Sequence, residues 1–327
     1  MSVATKKILG RSTLKVSAIG LGCWGLTGAY GQTNPKEAIK LIHRAIDLNV
    51  NFFDTADVYA QGENERLLNR AIKGKREKVI LATKFGYVGD EQGELSINGH
   101  PKYVRQAIEA SIQRLGTDYV DLYYLHRVDK NTPVEETVGA MARLKEEGKI
   151  RAIGLSEAGK QTLLRACRET QIDALQSEYS LFTQDIEREI LPFCLEKQIS
   201  VVPFSPLGRG MLSDLINHLN LAATDYRHHL PRFQGEAFEK NRKLIECLQE
   251  MAKLKDITLP QMALAWVLQR SDHVIPIPGT TKITHLESNL QALTVIFSTQ
   301  EWQELAELGQ QVKGARHNVE NERFFDE

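Results

Sequence analysis

Four side chains with acid–base potential lie at or just after the ends of three short apolar segments. Asp54 is in NFFDT, Tyr59 follows five residues later, Lys84 follows VILAT, and His126 follows VDLYYL. A phenol has an ordinary pKa of about 10, too high for efficient proton donation at neutral pH, and a neighbouring ammonium would lower it. We therefore predict Tyr59 as a general acid, with Lys84 beside it and Asp54 holding the lysine charged through a buried ion pair.

The imidazole of His126 completes this set, because a hydrogen bond from it would polarise a carbonyl oxygen and orient the substrate. Together the four groups predict carbonyl reduction, but none of them can supply a hydride. The sequence therefore also predicts a reduced nicotinamide cofactor. A Schiff-base aldolase would account for Lys84, but it would leave the spacing of Asp54 and Tyr59 unexplained.

The elements that would position these groups alternate between two periods. Short apolar runs without polar alternation are typical of parallel strands covered by helices. Eight such runs are predicted as strands, at 16–22, 51–55, 79–83, 120–124, 152–155, 174–178, 200–203 and 274–277. After a first helix capped at Asn34, further helices are predicted at about 64–71, 102–115, 134–147, 161–170, 186–197, 236–255 and 260–269.

Eight strand–helix units in 327 residues fit a closed (β/α)8 barrel, a TIM barrel, better than an open doubly wound sheet. A short N-terminal hairpin is predicted before the barrel. The long segment 207–235, after the seventh strand, is predicted as a loop that covers the site. No linker or shift in composition divides the chain, so we expect residues 1–327 to form one domain. The C-terminal ends of barrel strands share one rim, where Asp54, Tyr59, Lys84 and His126 should meet.

Composition limits the classes of function. With 41 basic and 42 acidic side chains the net charge is −1, which gives no overall attraction to nucleic acid or to an anionic membrane. The four cysteines are far apart and lack metal-ligand spacing, as expected for reduced thiols, and no metal site is predicted. No signal peptide or membrane span is visible. We expect a cytoplasmic protein that acts on a small molecule, in an oligomeric state that the sequence does not indicate.

The glycines Gly20, Gly22 and Gly25 have the GxGxxG spacing of dinucleotide-binding folds. In those folds the third glycine opens a helix, whereas the first helix here is predicted to begin only at about Asn34. A tight turn after the first strand is therefore the better interpretation. Trp24 in this turn would lie at the mouth of the barrel, and we include it among the predicted cofactor residues.

Several segments, in order, resemble the aldo-keto reductase superfamily. FDTADVY at 53–59 resembles its strand-two signature and TKFG at 83–86 its lysine motif. LYYLHRVD at 122–129 resembles the histidine motif of bacterial, fungal and plant reductases related to potassium-channel β-subunits. Further matches are LGRSTLKVSAIGLGCWG, GKIRAIGLSE, LQSEYSL, VPFSPLGRGML and IPGTTKITHLESNL. The resemblance covers essentially the whole chain and implies a catalytic tetrad of Asp54, Tyr59, Lys84 and His126, with Tyr59 as proton donor.

The resemblance also implies where NADP(H) would bind. Ser156 and Gln176 match positions that hydrogen-bond the nicotinamide carboxamide. Glu157 is also predicted among the cofactor residues; it stands where the wider superfamily commonly has Asn, although its own branch often has Glu. Phe204 matches an aromatic residue that stacks on the nicotinamide. The pyrophosphate loop corresponds to Ser205, Pro206, Leu207, Gly208 and Gly210. The adenosine and 2′-phosphate pocket corresponds to Gly279, Thr280, Thr281, Lys282 and Asn289, and Asp54 is predicted in both the catalytic and the cofactor sets.

The residue types in the segment 279–289 also favour a phosphate site, independently of the resemblance. A glycine, two hydroxyls and a cation lead into a helix, and the N–H groups at a helix N-terminus bind anions. A surface helix capped at Thr284 would explain the same residues without a ligand. Preference for NADPH over NADH is predicted, because no acidic side chain precedes Glu287.

Two questions about function stay open at this point. A non-catalytic NADP-binding sensor or channel-associated subunit is the alternative to an enzyme, although those subunits have Asn at the position of His126. The substrate is the second question. Aromatic residues in the rim loops favour an apolar carbonyl compound, whereas Arg127, Arg209 and Arg232 could receive a carboxylate or a phosphate.

Overall fold

The computed structural model describes residues 5–89, 94–213, 221, 225–318, 320 and 324–326. Its strands are β1 (Lys6–Ile8), β2 (Lys15–Ser17), β3 (Leu21–Gly22), β4 (Phe52–Asp54), β5 (Ile80–Phe85), β6 (Tyr87–Gly89), β7 (Leu95–Ile97), β8 (Val120–Leu125), β9 (Ile150–Ser156), β10 (Ala174–Glu178) and β11 (Ser200–Phe204). Its α-helices are α1 (Pro35–Asp47), α2 (Glu63–Ile72), α3 (Pro101–Leu115), α4 (Val134–Glu146), α5 (Lys160–Glu169), α6 (Ile190–Glu196), α7 (Gly235–Leu254), α8 (Leu259–Leu268), α9 (Ile283–Gln291) and α10 (Thr299–Gly309).

Seven parallel strands form one sheet in the order β11-β10-β9-β8-β5-β4-β3. The segment after α8 connects its two edges, because Ile275 donates its N–H to the carbonyl of Val201 (2.9 Å) and Gly20 donates to that of Pro276 (2.9 Å). The predicted α/β barrel is therefore confirmed. The prediction of a regular eighth strand at 274–277 is wrong, because Pro276 has no N–H to donate to a ladder.

The predicted first strand, 16–22, is wrong as one element. Its first part belongs to β2, which pairs antiparallel with β1 in the predicted N-terminal hairpin, and only Leu21 and Gly22 join the barrel. The chain turns between them at Gly20, where a Cβ would lie 2.8 Å from the ring of Phe52, so only glycine fits. Leu9 and Val16 of the hairpin are buried in the same apolar cluster as the barrel interior, whose N-terminal end they close.

The inward rows of side chains explain why polar groups meet at the rim. Side chains alternate between the two faces of a strand, and Phe52, Ala82 and Leu122 pack together inside the barrel. Two residues further along the rows of β4 and β5 lie Asp54 and Lys84. The rows of β8, β9, β10 and β11 end in the same way with His126, Ser156, Gln176 and Phe204.

The remaining differences from the sequence prediction are local. The predicted helix 186–197 is a short 3-10 turn followed by α6, because Pro192 is compatible only with the first turn of a helix. The β6–β7 hairpin and α10 were not predicted. Of the predicted cover loop, the structure describes residues 207–213, 221 and 225–235, which include three short 3-10 turns and the first residue of α7. Within the part of the chain described, every helix is too short or too polar to cross a bilayer.

Candidate active site

A cavity of about 920 Å³ opens at the C-terminal rim of the barrel. Asp54, Tyr59 and His126 line this cavity, while Lys84 is fully buried behind them. Its walls come from the strand ends, from the turn around Trp24, from the cover loop and from the C-terminal segment, by which we mean the described residues after α10. The structure thus brings the four predicted catalytic side chains to one place.

The buried lysine links two of these groups. Lys84 Nζ lies 2.5 Å from Asp54 Oδ1 and 3.2 Å from Tyr59 Oη, and it also donates to the carbonyl of Thr55 (2.7 Å). The second carboxylate oxygen of Asp54 accepts from Gln176 Nε2 (2.7 Å). Asp54 therefore fixes the ammonium, and the ammonium lies against the phenol.

Tyr59 is positioned by the turn after β4 and not by a strand. Asp57 in this turn donates its N–H to the carbonyl of Lys84 (3.1 Å), which holds the turn across the end of β5. At the start of α2, the buried side chain of Asn64 binds Thr55 Oγ1 (2.7 Å) and the carbonyl of Cys23 (2.8 Å). These contacts fix both ends of the segment that carries the phenol.

Burial decides the proton affinity of the phenol. It raises the pKa of Tyr59 above its ordinary value, while the ammonium of Lys84 acts in the opposite direction. The expected lowering by Lys84 is thus outweighed, and Tyr59 keeps its proton at neutral pH. Burial by itself would lower the pKa of Lys84. Asp54 and Tyr59 together outweigh burial, so the pKa lies above its ordinary value. A neutral amine, which a Schiff-base aldolase requires, is therefore disfavoured.

His126 is held in the neutral form. It follows β8, and its backbone N–H donates to the carbonyl of Phe85 (2.8 Å). Its ring meets that of Tyr59 edge-on, with the centroids 5.9 Å apart. Burial, together with the charges of Lys84 and Arg127, lowers the pKa of His126 well below its usual range. A neutral imidazole has one N–H, and it can donate that hydrogen bond to a carbonyl oxygen.

The predicted nicotinamide residues divide into two groups. Ser156, Gln176 and Phe204 line the cavity beside Asp54, at the ends of β9, β10 and β11. The carboxylate of Glu157 is engaged elsewhere: it accepts from the N–H of Glu178 (2.7 Å) and pairs with Arg316 (2.8 Å). The structure therefore brings the first three together and places the Glu157 side chain outside the cavity.

The predicted pyrophosphate loop is a turn in left-handed conformations. Ser205, Pro206, Leu207 and Gly210 line the cavity. Gly208 does not line it, but its φ of +56° provides the turn. In the same loop Arg209, which also lines the cavity, pairs with buried Glu178 at 3.0 Å. This ion pair anchors the loop to β10, so the structure uses Arg209 to hold the loop.

The predicted adenosine and 2′-phosphate residues all line the far end of the cavity: Gly279, Thr280, Thr281, Lys282 and Asn289. Helix α9 starts directly after Lys282 and has no acidic residue in its first turn. Glu287 is paired with Arg44 at 2.6 Å, which offsets its charge. Asn289 is 4% exposed and lines the cavity. The hydroxyls, the ammonium and the free N–H groups at the start of α9 fit a phosphorylated adenosine.

Sequence reasoning missed several residues of the cavity. One of them is Arg227, whose guanidinium lies 5.1 Å from the ring centroid of Tyr30, an aromatic residue in a predicted rim loop. His317, Phe324 and Phe325 come from the C-terminal segment. The segment lies far along the chain from every strand end and carries no motif, so its aromatic pair was the only available signal.

A comparison of sequences decides the family. Residues 18–310 match the sequence profile of the Aldo/keto reductase family. The chain belongs to this family. The aldo-keto reductase resemblance is thereby confirmed, and with it the prediction of an oxidoreductase.

Known aldo-keto reductases resemble this one along almost its whole length. The Glycine max protein named "Probable aldo-keto reductase 1" is 45% identical over 301 residues, which are 91% of this chain and 87% of that protein. The glycerol dehydrogenase of Gluconobacter oxydans has a TM-score of 0.86 at 26% identity, covering 98% and 99% of the two chains. An aldo/keto reductase from Klebsiella pneumoniae, solved in complex with NADP and acetate, has a TM-score of 0.73 at 28% identity, covering 96% and 99%.

Proposed function

We propose that this protein reduces aldehydes or ketones to alcohols with NADPH, and that Tyr59 donates the proton. The contact of Lys84 with both Asp54 and Tyr59, at the wall of a cavity that also holds neutral His126, carries the proposal. The related Klebsiella pneumoniae enzyme was solved with NADP, which supports NADP(H) as the cofactor.

The residues around the phenol divide the work of the reaction. NADPH, when bound, supplies the hydride, that is, the two electrons and the hydrogen that the carbonyl carbon gains as NADP⁺ forms. Tyr59 Oη gives its proton to the carbonyl oxygen, and His126 donates a hydrogen bond to the same oxygen. The phenolate that remains lies 3.2 Å from the ammonium of Lys84, which offsets its charge. Asp54 keeps that ammonium charged and oriented.

Absorbance of NADPH tests this function directly. The full-length protein is mixed with NADPH and with a panel of aldehydes, ketones and sugar phosphates. Oxidation of NADPH that depends on the added carbonyl compound, with one alcohol formed for each NADPH consumed, would support the reductase. If the protein binds NADPH tightly but turns over none of the panel, the alternative of a non-catalytic sensor is favoured.

We expect the variant Lys282→Glu to weaken NADPH binding by about 150-fold or more and to change NADH binding little. The two cofactors differ at the adenosine 2′ position, where NADPH has a phosphate and NADH a hydroxyl. A charge-assisted hydrogen bond contributes about 1.5–3 kcal/mol, equivalent to roughly ten- to 150-fold in affinity, and glutamate adds repulsion. Fluorescence titration of both cofactors measures the effect.

A matched control is Lys253→Glu, which makes the same charge change at an exposed position of α7 away from the cavity. We expect it to leave both affinities unchanged. Equal losses for NADPH and NADH in Lys282→Glu would contradict contact with the 2′-phosphate, and His285 would then be the next residue to test.

A further inference from the structure

Among the residues that the structure describes, one buried cation of the active-site cavity has no counter-ion. Arg127 lines the cavity and is 9% exposed, yet it forms no ion pair with any residue that the structure describes. The other buried cations around it do: Lys84 is paired with Asp54 and Arg209 with Glu178. An unpaired guanidinium in a poorly hydrated place is costly, and this cost is removed when an anion binds.

The unused donors of Arg127 are those that bind carboxylates best. Its Nη1 donates to the carbonyl of His126 (2.6 Å) and to Ser156 Oγ (3.2 Å). Its Nε is buried without a partner, and Nη2 donates to none of the residues described. The same pair of donors, Nε and Nη2, binds a carboxylate elsewhere in this protein: Arg165 donates both to Glu135, and Arg227 donates both to Asp225. An anion that presents two oxygens side by side, a carboxylate or a phosphate, matches such a fork.

The guanidinium of Arg127 lies close to the residues that would bind the reacting carbonyl. Arg127 follows His126 in the chain, and both lie against Tyr87, whose ring centroid is 4.8 Å from that of His126 and 5.9 Å from the guanidinium carbon. The ring of Phe325 lies 5.9 Å from the same carbon. These distances are near the limit of a cation–π contact, so the rings compensate the charge only weakly.

We propose that Arg127 is the substrate-recognition residue of this cavity, and that the physiological substrate is an aldehyde or ketone carrying a carboxylate or phosphate. The anionic group binds the guanidinium while the carbonyl oxygen lies at Tyr59 and His126. The aromatic side chains of the cavity contact the carbon skeleton between the two ends. This inference rests on the proposed reductase function and names the class of substrate for the same site.

The test compares anionic aldehydes with neutral counterparts, which for the two carboxylates are methyl esters of nearly the same shape. The pairs are 4-oxobutanoate with its methyl ester, 4-carboxybenzaldehyde with its methyl ester, and glyceraldehyde 3-phosphate with glyceraldehyde. We expect the wild-type protein to prefer at least one anion in kcat/KM. Arg127→Met should remove roughly ten- to 150-fold of kcat/KM for that anion, mainly through KM, and less than about threefold for its neutral partner. Whether the carboxylates or the phosphate show the preference identifies the anion.

Two controls separate recognition from a structural role. Arg165→Met removes an exposed arginine that does not line this cavity, and it should leave both members of each pair unchanged. Arg127→Lys keeps the charge without the fork and should recover part of the preference. Calorimetric titration of 4-hydroxybutanoate into the NADP⁺ complex gives a readout without turnover, and we expect Arg127→Met to weaken this binding.

Three outcomes would overturn the proposal while the reductase function stands. They are equal losses for anionic and neutral substrates, a wild-type protein that shows no preference for any anion, and a fall in NADPH affinity as large as the fall in kcat/KM. The last would show that Arg127 acts on the cofactor through Ser156. If no carbonyl compound, charged or neutral, supports NADPH oxidation, the reductase function itself fails.

Discussion

Replacing Tyr59 by phenylalanine is expected to lower kcat by about 10²–10⁴-fold while NADPH affinity stays within a few-fold. The phenol of Tyr59 lines the cavity, carries a transferable proton and lies 3.2 Å from the ammonium of Lys84. Phenylalanine keeps the ring, so the packing against Trp24 and His126 persists. Single-turnover rates with an aldehyde, together with fluorescence titration of NADPH, measure the two quantities separately.

A second tyrosine provides the control for this change. Tyr119 lies outside the cavity, and its ring, not its hydroxyl, contacts the guanidinium groups of Arg76 and Arg151. Tyr119→Phe should therefore retain full activity and the same unfolding temperature. If Tyr59→Phe keeps more than about a tenth of the wild-type kcat, the proton comes from another group and the assignment of the acid is wrong.

The position of the catalytic groups could be predicted because it depends on strand periodicity. Asp54 and Lys84 extend inward rows that begin with Phe52 and Ala82, and the sequence shows where each apolar run stops. In a parallel barrel those stops share one rim, so residue type and position along the strand suffice. The eighth strand was mispredicted because the apolar run at 274–277 was given more weight than Pro276 within it, whose missing N–H interrupts the ladder.

The surroundings of those groups could not be predicted, because they depend on partners distant in sequence. Glu178 is bound by Arg209 at 3.0 Å and by His317 at 3.2 Å, which joins a strand end, the cover loop and the C-terminal segment. Glu157 is engaged by Arg316 in the same way. None of these pairings follows from local spacing, and together they decide which charged side chains remain available to a ligand.

Proton affinities show the same limit of sequence reasoning. The sequence places an ammonium beside a phenol, which by itself would lower the pKa of Tyr59. Burial, a property of the folded chain, raises that pKa by more. The function of Lys84 is therefore better described as support for the phenolate that forms during reduction than as a way of making the resting phenol more acidic.

The variant Lys84→Met is expected to lower kcat by about 10²-fold or more and to shift the pH profile of the rate toward higher pH. In the wild type Lys84 lowers the pKa of Tyr59 against the effect of burial, so its loss raises that pKa. Oxidation of an alcohol by NADP⁺ requires the phenolate, and its rate rises with pH as Tyr59 loses its proton. The rising limb should therefore shift to higher pH in the variant.

The same substitution also affects folding, and this effect has to be separated from catalysis. It leaves Asp54 buried without its cation, which costs about 3–5 kcal/mol of the free energy of unfolding. The double variant Asp54→Asn/Lys84→Met removes the unpaired charge, so we expect it to unfold at a higher temperature than Lys84→Met and yet stay inactive. Lys84→Arg keeps a cation and should return the limb toward its wild-type position. If the rising limb of the pH profile is at the same pH in Lys84→Met as in the wild type, the ammonium does not act on the phenol.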